Sequence, residues 1–150
     1  MRREETVDHT IKSAWHAIAR MYNQQASKYE ITTSIGFVLL NINSDEGAPA
    51  TKIAPLMGLE ARSLTRMLKT MERKKLIHRV PDPADKRSVR IYLTDLGKRK
   101  KELSRASVLL FNNRVRELVS ESKLKIFFEV MNEINQLATT EKFDPSKFKN

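Results

Sequence analysis

Between residues 77 and 93 the hydrophobic pattern changes from a period of about 3.6 to one of 2, and this change constrains the fold most. Val89, Ile91 and Leu93 alternate with Arg90 and Tyr92, which predicts a strand over 89–93, and residues 77–80 predict a second. Between them lies Pro81-Asp82-Pro83-Ala84-Asp85-Lys86-Arg87-Ser88, a loop with turn chemistry and a charged tip. The rest of the chain reads at helical period. Val7, Ile11, Ala14, Trp15, Ile18, Met21, Tyr22 and Ala26 mark one face of a helix over about 5–28, and a second helix follows Thr32-Thr33. Asp45-Glu46-Gly47-Ala48-Pro49 ends that second helix. Thr51 is the expected N-cap of a short helix to about 57, where Met57-Gly58-Leu59 turns into a fourth helix over about 60–74. Thr94 is the expected cap of a helix over about 95–119, and a last helix covers about 121–138. The expected fold is mainly α with one β-hairpin: a helix-turn-helix followed directly by a wing, flanked by long helices.

Charge singles out the same region. The 150 residues carry 28 Lys+Arg against 18 Asp+Glu, a net of +10. Residues 60–101 hold 14 of those basic side chains and five acidic ones, so +9 of the +10 sits in 42 consecutive residues. A nucleic-acid footprint concentrates charge in this way, whereas a solvated surface spreads it. On a wheel of about 100° per residue, Leu64, Met67, Leu68 and Met71 define the buried side of the fourth helix. Arg62, Arg66, Lys69 and Arg73 fall opposite, flanked by Ser63, Thr65 and Thr70. The N-terminal part of such a helix meets base edges, so Arg62, Ser63, Thr65 and Arg66 are expected in the major groove, with Lys69 and Arg73 on phosphates. Arg87 at the wing tip suits a narrow minor groove, and Lys86 and Arg90 suit phosphates. Asp85 has two readings: it pairs with Arg87 or a helix arginine to shape the wing, or it bonds its own backbone as a turn aspartate. Thr51 caps its helix, and its hydroxyl and amide also suit a phosphate.

Other classes are poorly supported. Without cysteine there are no disulfides, thiolate metal sites or thiol nucleophiles. The sequence has no catalytic motif, and Gly36, Gly47, Gly58 and Gly97 are too scattered to cradle a phosphate. His9 and His16 lie about 10 Å apart along one helix, too far to share a metal. A Glu5/His9 pair has zinc spacing but reads better as a solvated helix start. No cofactor or metal is expected. Neither a signal-peptide pattern nor a membrane-length apolar run is found, so a soluble, cytoplasmic protein is expected, with no membrane partner.

Residues 57–98 resemble the MarR family of bacterial winged-helix repressors. The match is carried by Asp82-Pro83-Ala84-Asp85-Lys86-Arg87-Ser88, a D-x-x-D-x-R wing, running through Val89–Leu93 into Thr94-Asp95-Leu96-Gly97, an L-T-x-x-G helix start. The resemblance implies a winged lobe over about 31–98 and a helical dimerisation region over about 5–28 and 95–138; the charges, Pro145 and weak periodicity of residues 139–150 predict a loose tail. It also implies a homodimer on a pseudo-palindromic operator in double-stranded DNA, with repression relieved by a small aromatic or phenolic effector. Trp15 and Tyr22 are the candidate effector residues, with interface or core packing as the alternative. Three residues depart from the family pattern. Arg62 stands where a small or hydroxyl residue is usual, Lys75 replaces a helix-ending Gly, and Pro55 sits inside the short helix. The alternative function is a non-specific architectural DNA binder, which charge segregation alone would also allow. A third class is an interaction module that kept the winged fold without DNA binding.

Overall fold

The computed structural model describes residues 2–147. Six helices and a three-stranded antiparallel sheet follow in the order α1 (Val7–Ser27), α2 (Thr33–Leu40), β1 (Ala48–Pro49), α3 (Ala50–Leu56), α4 (Ala61–Arg73), β2 (Ile77–Pro81), β3 (Val89–Leu93), α5 (Asp95–Leu118) and α6 (Glu121–Thr140). This is a winged-helix arrangement. The chain divides into two compact units, Met1–Val108 and Leu109–Asn150, with the boundary inside α5.

In the first unit the core lies among α2, α3, α4 and the sheet. Val38, Leu39, Ile42, Ile53, Met71 and Ile91 are fully buried, each contributing roughly 1.5–3 kcal/mol from removal of apolar surface from water. The helix period of α4 and the strand period of β3 both end on this cluster: Leu64, Leu68 and Met71 face it from one, Ile91 and Leu93 from the other. In the second unit Leu124 is buried, while Leu110, Leu118, Ile126, Phe127 and Phe128 are at least half exposed.

Local chemistry accounts for the element ends. Thr32 Oγ1 accepts from the Ile35 amide (3.2 Å) and starts α2. Thr94 Oγ1 accepts from the Gly97 amide (3.0 Å), the expected cap of α5. Helices α1, α3 and α4 all end in a Schellman motif, with Glu30, Gly58 and Lys75 in the left-handed conformation (φ +58°, +61° and +57°). At the end of α4, for example, the Leu76 amide bonds the Met71 carbonyl (2.9 Å) and the Lys75 amide bonds that of Glu72 (2.8 Å). Replacing Gly by Lys at position 75 therefore leaves the shape of the helix end intact and adds conformational strain. Lys75→Gly is expected to raise stability by about 1 kcal/mol, measured as a shift in denaturant midpoint at constant slope.

Two sequence expectations need correction. Thr51 is not the cap of the short helix: α3 begins at Ala50 behind Pro49, so Thr51 is its second residue. Proline fits there because an N-terminal flanking position needs no amide donor. The dipeptide Ala48-Pro49, expected only to end α2, is also strand β1; it pairs with Ile91 and Arg90, giving the sheet order β1-β3-β2. Two residues containing a proline carry no strand period, and an edge position tolerates the missing donor. Pro55 is accommodated in the last turn of α3, where it cannot donate to the Thr51 carbonyl. Helix α6 runs two residues beyond the expected 138, and Pro145–Lys147 form a 3-10 turn. Of the tail over 139–150, residues 148–150 lie outside the described residues.

Candidate nucleic-acid interface

The turn at Gly58 lets α4 leave α3 after a short connection. Gly58 has open space where a Cβ would stand, so its backbone conformation, and not crowding, calls for glycine. Burial of Leu64, Leu68 and Met71 then fixes the rotation of α4 and leaves Arg62, Ser63, Thr65, Arg66, Lys69 and Arg73 exposed. The side chains of Arg62, Arg66 and Lys69 make no ion pair or hydrogen bond among the described residues. Thr65 donates its hydroxyl to the Ala61 carbonyl (2.9 Å), which leaves its oxygen able to accept. Arg73 differs from the rest of the row, since its guanidinium folds back onto Thr70 Oγ1 (3.2 Å).

The wing is shaped by its two aspartates. Asp82 Oδ1 accepts from the Ala84 amide (2.9 Å), and Asp85 Oδ1 accepts from the Arg87 amide (3.0 Å). Each carboxylate thus closes a turn two residues on, which gives D-x-x-D a physical meaning. The Asp82 amide to the Ser88 carbonyl (3.0 Å) and the Ser88 amide to the Asp85 carbonyl (2.9 Å) close the loop. Lys86 and Arg87 are exposed at its tip. Of the two readings of Asp85, the structure carries the turn aspartate; the ion pair of the wing belongs to Asp82, with Arg90 (3.5 Å). Arg90 also donates Nε to the Glu46 carbonyl (2.7 Å) and is only partly exposed, so it braces the wing against the loop before β1. Its expected phosphate contact competes with two internal partners. Sequence reasoning missed this brace because strand register places Arg90 beside residues eight and 44 positions away.

Asp82 is buried, and its carboxyl is held below the ordinary aspartate range. The Ala84 amide is the chief cause; burial opposes it, and the Arg90 guanidinium adds to it. A carboxylate lowered by folding stabilises above its unfolded pKa and loses that contribution as pH falls through its folded value. The wing is therefore expected to keep its shape at and above the ordinary aspartate pKa of about 3.9 and to loosen only as pH falls further, through the lowered value. Amide exchange at Ala84 checks this: its protection relative to the intrinsic rate at each pH should fall on acidification in the native protein and be low at every pH in Asp82→Ala.

Further back in the same unit, an apolar cavity of about 30 Å³ is lined by residues including Tyr22, Ala26, Tyr29, Ile31, Phe37, Leu40 and Leu103. Burial pushes the Tyr22 phenol up from its ordinary pKa. Of the two candidate effector residues, Tyr22 lines this space and Trp15 does not. Trp15 is half exposed and stacks on Phe37, with ring centroids 6.1 Å apart. Among the described residues no three His, Asp or Glu side chains form a metal-binding group, and Glu5 is held by Arg2 (2.7 Å). No helix among them is long and apolar enough to cross a membrane.

Residues 31–89, which hold α2 through the wing loop, match the model of the MarR family. This lobe is therefore similar to the MarR family. Two relatives within reach by sequence are regulators of the helix-turn-helix type. SarZ of Staphylococcus aureus is 32% identical over 96 residues, covering 63% of this chain and 65% of that protein. TtmR of Methylorubrum extorquens is 33% identical over 88 residues, covering 59% and 45%. The match thus spans less than two thirds of the length of these relatives. Likeness of fold extends further than the sequence match. S. aureus MepR, solved in complex with DNA, superposes with a TM-score of 0.79 at 22% identity, covering 91% of this chain and 99% of that one. PcaV of Streptomyces coelicolor, solved with its natural ligand, gives 0.79 at 20% identity, covering 92% and 97%.

Proposed function

We propose that the protein is a dimeric transcriptional regulator that binds a pseudo-palindromic site in double-stranded DNA. The observation that carries this reading is the exposed basic face of α4, on which Arg62, Arg66 and Lys69 have no partner among the described residues, beside the exposed wing tip. Arg62 and Arg66 have no partner to give up among the described residues, so their guanidinium forks are available to guanine edges. Ser63 and Thr65 add short hydroxyl contacts, Lys69 and Arg73 add phosphate contacts, and Thr51 offers its hydroxyl to the backbone. Lys86 and Arg87 extend the footprint to the neighbouring groove, while Asp85 sets the backbone that presents them. The bare apolar side chains of the second unit support a homodimer, because a helical segment with Phe127 and Phe128 half exposed buries too little to stand alone. In this reading about 31–98 is the DNA lobe, and about 5–28 with 95–138 is the dimerisation region.

Repression relieved by a small ligand belongs to the same proposal. The cavity at Tyr22 and Phe37 is apolar, but at about 30 Å³ it holds one or two waters. An aromatic or phenolic effector would have to part α1 from α2 to enter, and it would relieve repression only by favouring a state with the wrong spacing of lobes. A non-specific architectural binder is the second reading, favoured by the concentration of charge in residues 60–101. Selection of the purified protein on a random duplex library at physiological salt separates the two. An enriched pseudo-palindrome with half-site centres about 34–36 Å apart supports the regulator. Salt-sensitive retention with no enriched motif supports the architectural protein, and no retention overturns both.

A further inference from the structure

The corner between α4 and β2 consists of residues 74–76, and its backbone is pinned from the far side. Thr94 Oγ1 donates to the Lys75 carbonyl (2.6 Å), and the Thr94 amide donates to that of Leu76 (3.0 Å). Beyond this corner the two arms diverge, α4 carrying the basic face and β2 leading to the wing. One ion pair spans the angle between them: Arg79 of β2 donates to the Glu72 carboxylate of α4. Arg79 shares its face of β2 with the buried Ile77 and lies opposite the fully buried Ile91, so strand periodicity would put an apolar residue there. The pair is about three-quarters buried on the arginine side and two-thirds on the glutamate side. Arg79 Nε is fully buried with no partner among the described residues.

A partly buried pair with an unsatisfied nitrogen is a poor way to stabilise a fold, since well-packed apolar residues do as well or better. The charge-assisted bond from its guanidinium to the carboxylate is directional and fixes the separation of the two elements where it joins them, which apolar contacts hold less strictly. We infer that Glu72 and Arg79 are positioning residues for DNA recognition: a strut that sets the angle between α4 and the wing, so that major- and minor-groove contacts are made together. Neither residue touches DNA in this account, and the inference rests on the DNA-binding reading above.

The test uses the full-length protein with both residues made apolar, Glu72→Leu together with Arg79→Met, which leaves net charge unchanged. Unfolding is followed by denaturant. Binding is followed by fluorescence anisotropy on the duplex enriched by selection and on a random duplex of equal length. The expected variant is at least as stable as the native protein and binds random duplex within about twofold, with the same salt slope, because phosphate contacts are kept. Its affinity for the selected duplex falls by about tenfold or more, which narrows the gap between specific and non-specific binding. Native affinity for the selected duplex in this variant overturns the strut. If the double variant does not fold, Arg79→Lys carries the test, since it keeps the charge and loses the planar guanidinium. About a tenfold loss of discrimination between duplexes is then expected, and native discrimination overturns the inference. A native protein that prefers no duplex overturns the DNA-recognition reading itself and the strut with it. That outcome is distinguishable, because it appears before any substitution is made.

Discussion

Gly97→Ala is expected to destabilise the first unit by about 3 kcal/mol, the upper part of the range for overpacking a closed site. A Cβ at position 97 would stand 2.0 Å from the Leu76 carbonyl oxygen and 3.0 Å from its carbon. Backbone crowding cannot be relieved by a rotamer change. The oxygen is also fixed, because it accepts the Thr94 amide at 3.0 Å. Relief requires the start of α5 to lift away from the corner between α4 and β2. That movement would strain the Thr94 bond to the Lys75 carbonyl, which joins the same segments. Denaturant unfolding measures the effect as a lower midpoint at unchanged slope. A loss below about 1 kcal/mol would mean that α5 is not seated on the corner as described. The family's L-T-x-x-G pattern acquires its physical content here: threonine caps the helix and anchors the corner, and glycine permits the close approach.

The second large effect concerns recognition. Arg66→Ala is expected to weaken binding to the selected duplex by about 1–3 kcal/mol, roughly fivefold to 150-fold, and to relax the preference at one base pair. Lys69→Ala should weaken binding to all duplexes alike and reduce the salt slope by about 1. Both side chains are exposed on α4 and neither has a partner to rearrange among the described residues, so neither change should alter stability by more than about 0.5 kcal/mol. Titrations of the two variants on selected and random duplexes, at several salt concentrations, check this difference. Equal, sequence-independent losses for both would place Arg66 on a phosphate and remove it from the groove.

How much of this was legible beforehand follows from the range of the interactions involved. Helix and strand periods are properties of neighbouring residues, so Leu64, Leu68 and Met71 on α4 and Ile91 and Leu93 on β3 could be assigned to the core from spacing alone. Capping at Thr94 and the turns at Asp82 and Asp85 span two or three residues and belong to the same class. The concentration of charge in residues 60–101 is a property of composition, and it pointed to the same helix and wing that the structure leaves exposed.

Interactions between distant segments were not legible. Whether Asp82 or Asp85 meets a guanidinium depends on the register that sets Val80 against Arg90, and register is a relation between strands. The pairing of Arg90 with the Glu46 carbonyl spans 44 residues, and strand β1 exists only because β3 offers it an edge. Arg79 looked like one more cation in a basic segment until the corner at Lys75 brought it back against Glu72. The aromatic side chains of α1 had the same apolar spacing, yet packing against Phe37 buried Tyr22 and left Trp15 half exposed. By itself the sequence determined the six helices, the two strands of the wing, the cap at Thr94 and the sign of the surface, because those are set within a few residues. Only the tertiary structure decided which charges are spent inside the fold and which remain free, because that depends on distances between segments that no local pattern encodes.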